Sequence, residues 1–594
     1  MAEQVVEQVN RVGVVGAGTM GSGIAEIVAS KGVPVVFVEV DEAAVENTHQ
    51  RIRASLDRQV SREKIDEAAR DEILGRIEGS VAFDALADCD LVVEAVPEQL
   101  DLKQSVFERI DAVIRPDAIL ATNTSSLPVM DVAVHSQRPN RVVGFHFFNP
   151  AQVMKLIELV RTVVTDDAVV ETARRFAESI GKHPVVVGDR AGFIANQLLF
   201  PYLNQAVSMV EAGYATQEDV DAAMRFGAGL PMGPIALVDL VGIDTMVGIM
   251  NAIHAQFDDV RFAPRPILSQ LSSAGWNGRK TGRGFYRYEE PGSSKTLPSA
   301  SEREPADPAL VEGWTTVGVL GTGTMASGIT EVCAKAGYDV IVRGRSVEKA
   351  EAVVAKVSKS LQRMVDKGRL SEEDMVATLQ RVTPTDKIAD LAPSNVVVEA
   401  VAEDLEIKRE LFAELAPVLS DDAILSTTTS SLSVMECAMV TDRPERVLGL
   451  HFFNPAAVMK LVEIVATVRT DEQVVEQARA FVDKINKVGV LCGDQSGFIV
   501  NALLFPYLND AVKMLESHYA TAEEIDTAMK LGAGYPMGPF QLMDVVGLDV
   551  SLAIIESLQE EFRQPSYEPA PLLRHLVDIG FLGRKAGRGF YVYD

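Results

Sequence analysis

The stretch Val12-Gly13-Val14-Val15-Gly16-Ala17-Gly18-Thr19-Met20-Gly21 returns as Val317-Gly318-Val319-Leu320-Gly321-Thr322-Gly323-Thr324-Met325-Ala326, an offset of 305 residues. An apolar run followed by Gly-x-Gly-x-x-Gly and a helical pattern reads as a buried strand, a tight turn and a helix start. Glycine runs also close ordinary turns, so the weight lies in the context of a βαβ unit. Gly16 permits the turn, Gly18 lets backbone approach a pyrophosphate, and Gly21 lets helix and strand pack closely. The helix N-terminus adds N–H donors and the positive end of a dipole. In the second copy Gly321, Gly323 and Ala326 take these places; Ala326 adds one methyl, which the G-x-G-x-x-A variant accepts.

Working outward, the same offset carries His146-Phe147-Phe148-Asn149-Pro150 onto His451-Phe452-Phe453-Asn454-Pro455, and Gly284-Phe285-Tyr286 onto Gly589-Phe590-Tyr591. The period is far too long for a solenoid and marks a tandem duplication of whole units. Residues 289–308, rich in Pro, Ser and charge without apolar period, read as the linker between them. Within the first unit, strands are expected at 12–15, 35–38, 91–94, 119–121, 142–146 and 185–187. A helix is expected over 18–30, stopped by Gly32. Strands alternating with helices imply a parallel sheet with helices on both faces. After Gly192 the pattern turns helical, over 193–212 and 217–227. The expected fold class is α/β, with two Rossmann-like doubly wound domains, each followed by an all-α domain. The expected boundaries are 10–190 and 191–288, a linker at 289–312, then 313–495 and 496–594.

With 594 residues, several domains are expected. The net charge of −28 disfavours nucleic acid and anionic membranes as partners, and any anion site has to be a local basic pocket. Cys89, Cys333, Cys437 and Cys492 form no CxxC pair, and no Cys/His cluster has metal-ligand spacing, so no metal is expected. Reduced, buried thiols in a cytoplasmic protein fit this usage. The N-terminus lacks the charge and apolar core of a signal peptide, and no apolar run has the length of a membrane span.

The two copies differ where a dinucleotide site reads the adenosine ribose. Glu39, 21 residues after Gly18, can accept both ribose hydroxyls and would repel a 2′-phosphate, which predicts NAD in the first unit. In the second unit, Gly344 replaces the acid between Arg343 and Arg345, with Ser346 next. Two guanidinium groups and a hydroxyl suit a 2′-phosphate, so NADP is expected there, with NAD as the other option. The alternative is a decayed site whose arginines are solvated surface charges.

His146 closes an apolar strand, and Glu158 follows 12 residues later inside the apolar run 154–160. An acid in such a strand needs a partner, and a histidine on the neighbouring strand would supply it, making a general base oriented by a carboxylate. Either residue alone would more often be structural. Repetition as His451 and Glu463, at identical spacing, favours the pair. Asn123-Thr124-Ser125-Ser126 follows the strand at 119–121. It is either a helix cap or a hydroxyl-and-amide group near a substrate oxygen. Its counterpart keeps Ser430 and changes Asn123 to Thr428. Asn196 and Asn501, on the apolar openings of two helices, point to a buried hydrogen-bonding duty.

These residues, together with Glu-Ala-x-x-Glu, Thr-Ser-Ser-Leu, Gly-Phe-Ile-x-Asn, Pro-Met-Gly-Pro and Gly-Arg-Lys-x-Gly-x-Gly-Phe-Tyr, resemble the 3-hydroxyacyl-CoA dehydrogenase family, in a tandem form similar to the 3-hydroxybutyryl-CoA dehydrogenases. The resemblance covers nearly the whole chain. It implies that His146 and His451 are catalytic bases oriented by Glu158 and Glu463, and that Ser125 with Asn196, and Ser430 with Asn501, hold the substrate oxygen. It implies that Glu98 and Lys103, and likewise Glu403 and Lys408, contact the nicotinamide end. A solvated charge pair is the plainer reading of those two. It further implies acyl-CoA as substrate, and helical domains of dimerisation type. Residues 193–288 are then expected to pack on 498–593 as an intramolecular pseudo-dimer, with further self-association left open. Asn149 or Asn454 is a candidate donor to the thioester oxygen. Arg58, Arg62 and Lys64, with Arg363, Lys367 and Arg369, are either contacts for the CoA phosphates or a solvated helix face. Two other readings stand beside the two-site enzyme: one active unit with a scaffold, or a structural protein on this fold. Retention of the His–Glu, Ser and Asn sets in both halves favours catalysis.

Overall fold

The structure, a computed structural model, describes residues 6–299 and 303–593. Residues 1–5 (the start of the N-terminal stretch), 300–302 (within the expected linker) and 594 lie outside the described residues.

Eight strands form the first sheet: β1 (Val12–Val15), β2 (Val35–Val38), β3 (Ile77–Ser80), β4 (Leu91–Glu94), β5 (Ile119–Thr122), β6 (Val142–Phe147), β7 (Leu156–Arg161) and β8 (His183–Gly188). They lie in the order β3-β2-β1-β4-β5-β6-β7-β8. Every residue of β1, β2, β4 and β5 is buried, as expected of strands covered on both faces. Chain order reverses between β1 and β4, so the loops leaving their C-terminal ends open a crevice at the switch point.

Two features depart from the expected pattern. The sheet is not wholly parallel, because β6 and β7 pair antiparallel. Only residues 148–155 join them, too few for the crossover a parallel neighbour needs. Strand β3 was not anticipated. Ile77-Glu78-Gly79-Ser80 carries no apolar run and is ordered by its pairing with β2. The second sheet repeats the arrangement. Its strands are Thr316–Leu320, Asp339–Arg343, Val382–Thr385, Val396–Glu399, Ile424–Thr427, Val447–Phe452, Leu461–Ala466 and Val488–Gly493.

Helices Ala195–Glu211, Gln217–Gly227, Pro234–Val241, Ile243–Phe257 and Pro266–Ser273 follow the first sheet, and five counterparts follow the second. The expected loss of strands is incomplete, because Arg287–Tyr288 pairs with Thr296–Leu297 inside the expected linker. That linker is docked: Val311 is buried, and Arg303 lies 3.0 Å from Asp219. The recurring Gly-Phe-Tyr segment straps each helical bundle. Asp239 accepts the N–H groups of Phe285 and Tyr286 and the Tyr288 hydroxyl, and Asp544 does the same for Phe590, Tyr591 and Tyr593. No single helix among the described residues is long and apolar enough to cross a membrane.

The units pack together through these bundles. One apolar core runs through both bundles and reaches one face of each sheet, while the other faces have separate cores. Helix Ala195–Glu211 lies against Val500–Glu516, with the Tyr202 and Tyr507 rings 6.2 Å apart. Two clamps repeat under the 305 offset: the Tyr214 hydroxyl donates to the Gly493 carbonyl at 2.8 Å, and the Tyr519 hydroxyl to the Gly188 carbonyl at 2.7 Å. The symmetry breaks in a cavity of about 300 Å³ between the bundles, whose lining includes Arg190, Asp259, Arg261, Asp510 and Lys513. Arg261 bridges Asp259 and Asp510, with Nη1 at 2.6 and 2.7 Å from the Asp510 carboxylate. The residues at the equivalent positions are Gln495, Gln564, Ser566, Gln205 and Ser208, all uncharged; there Gln205 bonds the Tyr567 hydroxyl.

Candidate active sites

Each site grows from loops at the C-terminal ends of parallel strands. Gly16 has φ +83°, which a side chain resists. A Cβ on Gly21 would strike the Gly16 carbonyl, so helix and strand approach closely there. The second unit seats the Ala326 methyl with Gly321 at φ +125°. Nothing lies within 4 Å of where a Cβ of Gly18 or Gly323 would stand. Helices Thr19–Ser30 and Thr324–Lys335 begin without side-chain caps, so their first N–H groups suit a pyrophosphate.

Glu39 stands just past β2, and its Oε1 accepts the Ala17 N–H at 2.6 Å. This holds a carboxylate over the glycine turn. At the equivalent place, a Cβ on Gly344 would lie 2.9 Å from the Ala350 nitrogen and 3.1 Å from the Thr322 Cγ2. The second unit therefore has no room for that acid. Arg343 is half-buried with Nε 3.4 Å from the Asp386 carbonyl, Arg345 is exposed, and Ser346 caps helix Val347–Asp366. A cation unnoticed in the sequence, Lys356, donates to the Thr322 carbonyl at 3.0 Å, as Arg51 does to Ala17. Both sit on the helix after the second strand, 34 residues from the turn residue each one bonds, a separation that hides the contact in the sequence.

The loops after β4 and β5 share a second set of charges. Lys103 is fully buried, its ammonium 3.0 and 3.2 Å from the two Glu94 oxygens and 3.2 Å from Glu98. The ammonium is enclosed by Glu94, Glu98 and the Val96 carbonyl, so it stands behind Glu98. Lys408 repeats this between Glu399 and Glu403. Glu98 in turn gathers the Thr124 hydroxyl at 2.6 Å, the Ser125 and Ser126 N–H groups at 2.9 and 3.0 Å, and both serine hydroxyls. Burial pushes its carboxyl up, but Lys103 and these donors outweigh that and hold it at about 2. Glu94, Glu399, Thr124 and Thr429 lie in the Glu-Ala-x-x-Glu and Thr-Ser-Ser-Leu motifs, but the sequence assigned them no separate role.

The antiparallel pairing sets His146 directly opposite Glu158, and His451 opposite Glu463. Imidazole Nδ1 lies 2.7 Å from Glu158 Oε2 in one unit and 2.6 Å from Glu463 Oε2 in the other. Both acids are fully buried. Glu158 Oε1 accepts the N–H groups of Ile194 and Ala195 at 3.1 and 2.9 Å, where helix Ala195–Glu211 begins. Glu463 does likewise with Ile499 and Val500. Two further donors and the positive end of a helix dipole thus meet each acid's second oxygen. The chain enters that helix through Phe193 at φ +49°, uncommon for a bulky residue, and its ring lies 5.6 Å from that of His146. Phe498 repeats both features.

Asn123 Oδ1 accepts the Phe147 N–H at 2.8 Å, pinning the strand just past His146. Asn196 Nδ2 donates to the Ser125 carbonyl at 3.0 Å, tying the serine loop to the helical domain. Ser125 and Ser430 are partly exposed beside Glu98 and Glu403. Asn149, Asn454, Arg58, Arg62, Lys64, Arg363, Lys367 and Arg369 are all exposed. The four cysteines are free and buried, and burial pushes the Cys89 thiol up to about 11 and those of Cys333 and Cys437 to about 12.

The family profile described as 3-hydroxyacyl-CoA dehydrogenase, NAD binding domain, matches residues 11–190 and again 316–495. The profile described as 3-hydroxyacyl-CoA dehydrogenase, C-terminal domain, matches 192–288 and 497–593. A 3-hydroxybutyryl-CoA dehydrogenase of Mycobacterium tuberculosis is 48% identical over 284 residues, covering 48% of this chain and 99% of its own. The mitochondrial hydroxyacyl-coenzyme A dehydrogenase of Sus scrofa is 40% identical over 289 residues, covering 47% of this chain and 92% of its own. Both thus correspond to one unit. The crystal structure of 3-hydroxybutyryl-CoA dehydrogenase from Escherichia coli K12 spans both units, at TM-score 0.70 and 27% identity, covering 96% of this chain and 99% of its own. With both domain profiles matched twice across nearly its whole length, the chain belongs to the 3-hydroxyacyl-CoA dehydrogenase family.

Proposed function

We propose that the chain interconverts (S)-3-hydroxyacyl-CoA and 3-oxoacyl-CoA at two sites, with short acyl chains such as 3-hydroxybutyryl as substrates. The observation that carries this is the duplicated His–Glu pair, with each acid's second oxygen held by a helix N-terminus. Glu158 accepts from Nδ1–H and leaves Nε2 as the base. That nitrogen takes the 3-hydroxyl proton as the C3 hydride leaves; in reverse, the imidazolium returns it to the developing alkoxide. The bound nicotinamide supplies the hydride acceptor. The Ser125 hydroxyl and the Asn196 amide border the same cleft and suit the substrate oxygen.

The two cofactor sites support different preferences. Glu39 favours free ribose hydroxyls, hence NAD, in the first unit. In the second unit Gly344 excludes the acid, while Arg343, Arg345 and Ser346 provide a cradle for a 2′-phosphate, hence NADP. Glu348, in the first turn of the same helix, works against it. The test is acetoacetyl-CoA-dependent oxidation of NADH and NADPH by His146→Ala and His451→Ala. Loss of NADH turnover in the first variant and of NADPH turnover in the second is expected. If His451→Ala changes neither rate, the second unit is a scaffold.

A further inference from the structure

Two glycines lie at the seam between the units. Gly227 ends helix Gln217–Gly227 of the first unit, and Gly532 ends Ala522–Gly532 of the second. Each faces the other unit's sheet. A Cβ on Gly532 would lie 2.9 Å from Leu156 Cδ2 and 3.2 Å from Phe148 Cε1. A Cβ on Gly227 would lie 2.6 Å from Leu461 Cδ2, 2.8 Å from Val500 Cγ2 and 3.5 Å from Phe453 Cε1. Phe148 and Phe453 are half-buried, and their rings lie 4.5 and 4.6 Å from the rings of His146 and His451. One aromatic ring therefore stands between the base of one unit and the helix end of the other.

We propose that each site is walled in trans: Gly532 sets the room for the acyl chain at the His146 site, and Gly227 does so at the His451 site. This rests on the reading of His146 and His451 as the bases. Away from the histidine the wall is apolar, made by Phe148 with Leu156 in one unit and Phe453 with Leu461 in the other, so it suits an alkyl chain beyond C3. Leu156 and Leu461 are fully buried and cannot retreat. A methyl added to Gly532 presses directly on the half-buried Phe148 ring, and one added to Gly227 presses on Leu461 and Val500, which stand beside the Phe453 ring. Neither glycine has a positive φ, so alanine meets no backbone obstacle there.

The experiment uses the full chain. Gly532→Ala and Gly227→Ala are each combined with His451→Ala, which leaves the first site, or with His146→Ala, which leaves the second. kcat/KM is measured for 3-oxoacyl-CoA substrates of four to ten carbons with NADH and with NADPH. In the His451→Ala background, Gly532→Ala is expected to lower kcat/KM for the longest chains about 10- to 200-fold more than for the four-carbon substrate, while Gly227→Ala leaves that profile unchanged. The His146→Ala background is expected to reverse the roles. An effect confined to the glycine's own unit, an equal loss at all chain lengths, or no effect overturns the proposal. Phe148→Leu guards against a folding defect: it should widen the first site and restore long chains to the Gly532→Ala variant, and failure to do so in a chain of normal melting temperature also overturns the proposal. Full turnover in the doubly substituted His146→Ala/His451→Ala chain would instead refute the reading of the bases.

Discussion

Replacing Arg261 by serine, the residue its counterpart position already carries, should destabilise the seam between the units far more than its 29% side-chain exposure suggests. Arg261 gives Nη1 to both Asp510 oxygens and its Nε and Nη2 to Asp259. The Asp510 side chain is only 11% exposed, and burial raises its carboxyl while Arg261 pulls it down. Arg261→Ser leaves two acids facing each other with Lys513 as the nearby cation. Breaking a buried pair from one side costs about 3–5 kcal/mol, because an uncompensated charge remains. The triple variant Asp259→Gln/Arg261→Ser/Asp510→Gln copies three of the five uncharged residues at the equivalent positions. It removes both acids that the single variant leaves without their guanidinium, with Arg190 and Lys513 remaining at the cavity, so its loss should be smaller, about 1 kcal/mol. Urea unfolding, followed by the tyrosines and tryptophans, should give the triple variant a midpoint well above that of Arg261→Ser. The pH supplies a second check. In the single variant, the folded pKa of Asp510 lies above its unfolded value, so the deficit is present near neutrality and shrinks as pH falls through that folded pKa. A triple variant as unstable as the single one would refute the argument from unpaired charge.

Glu158→Gln, in a His451→Ala background, should lower kcat about 10²- to 10⁴-fold with little change in KM, since an amide NH₂ facing Nδ1 moves the imidazole proton to Nε2; an unchanged kcat would remove Glu158 from the mechanism. Glu98 is held at about 2 in the fold, below its ordinary 4.5. The stabilisation this carries is therefore fully present above pH 4.5 and lost as pH falls towards 2. Melting temperatures between pH 5 and pH 2.5 should fall less steeply for Glu98→Gln than for the parent, and parallel curves would contradict this.

Much of the fold was legible because the determining signals are local. Short apolar runs placed β1, β2 and β4 to the residue, and helical periodicity did the same for Gln217–Gly227. The 305 offset revealed the duplication, and the spacing of His146 and Glu158 within apolar strands pointed to their pairing. Strand β3 stayed hidden because it borrows its order from β2, and the β6–β7 antiparallel pair because strand direction depends on loop length, which apolar period does not encode. The charge of Lys103 was visible, but its enclosure by Glu94 and Glu98 was not.

By itself the sequence determined two copies of a dinucleotide-binding unit, the acid-to-glycine exchange at Gly344, and a histidine–carboxylate pair in each half, since each follows from residue type and short spacing. Only the tertiary structure decided how the sites are built. Glu158 is anchored by backbone 36 residues further on, Asn123 secures a strand, and Gly532 and Gly227 pack against Leu156 and Leu461 of the opposite unit. Those contacts join residues tens to hundreds of positions apart, and they form only when two bundles share one core, a packing event that local periodicity does not record.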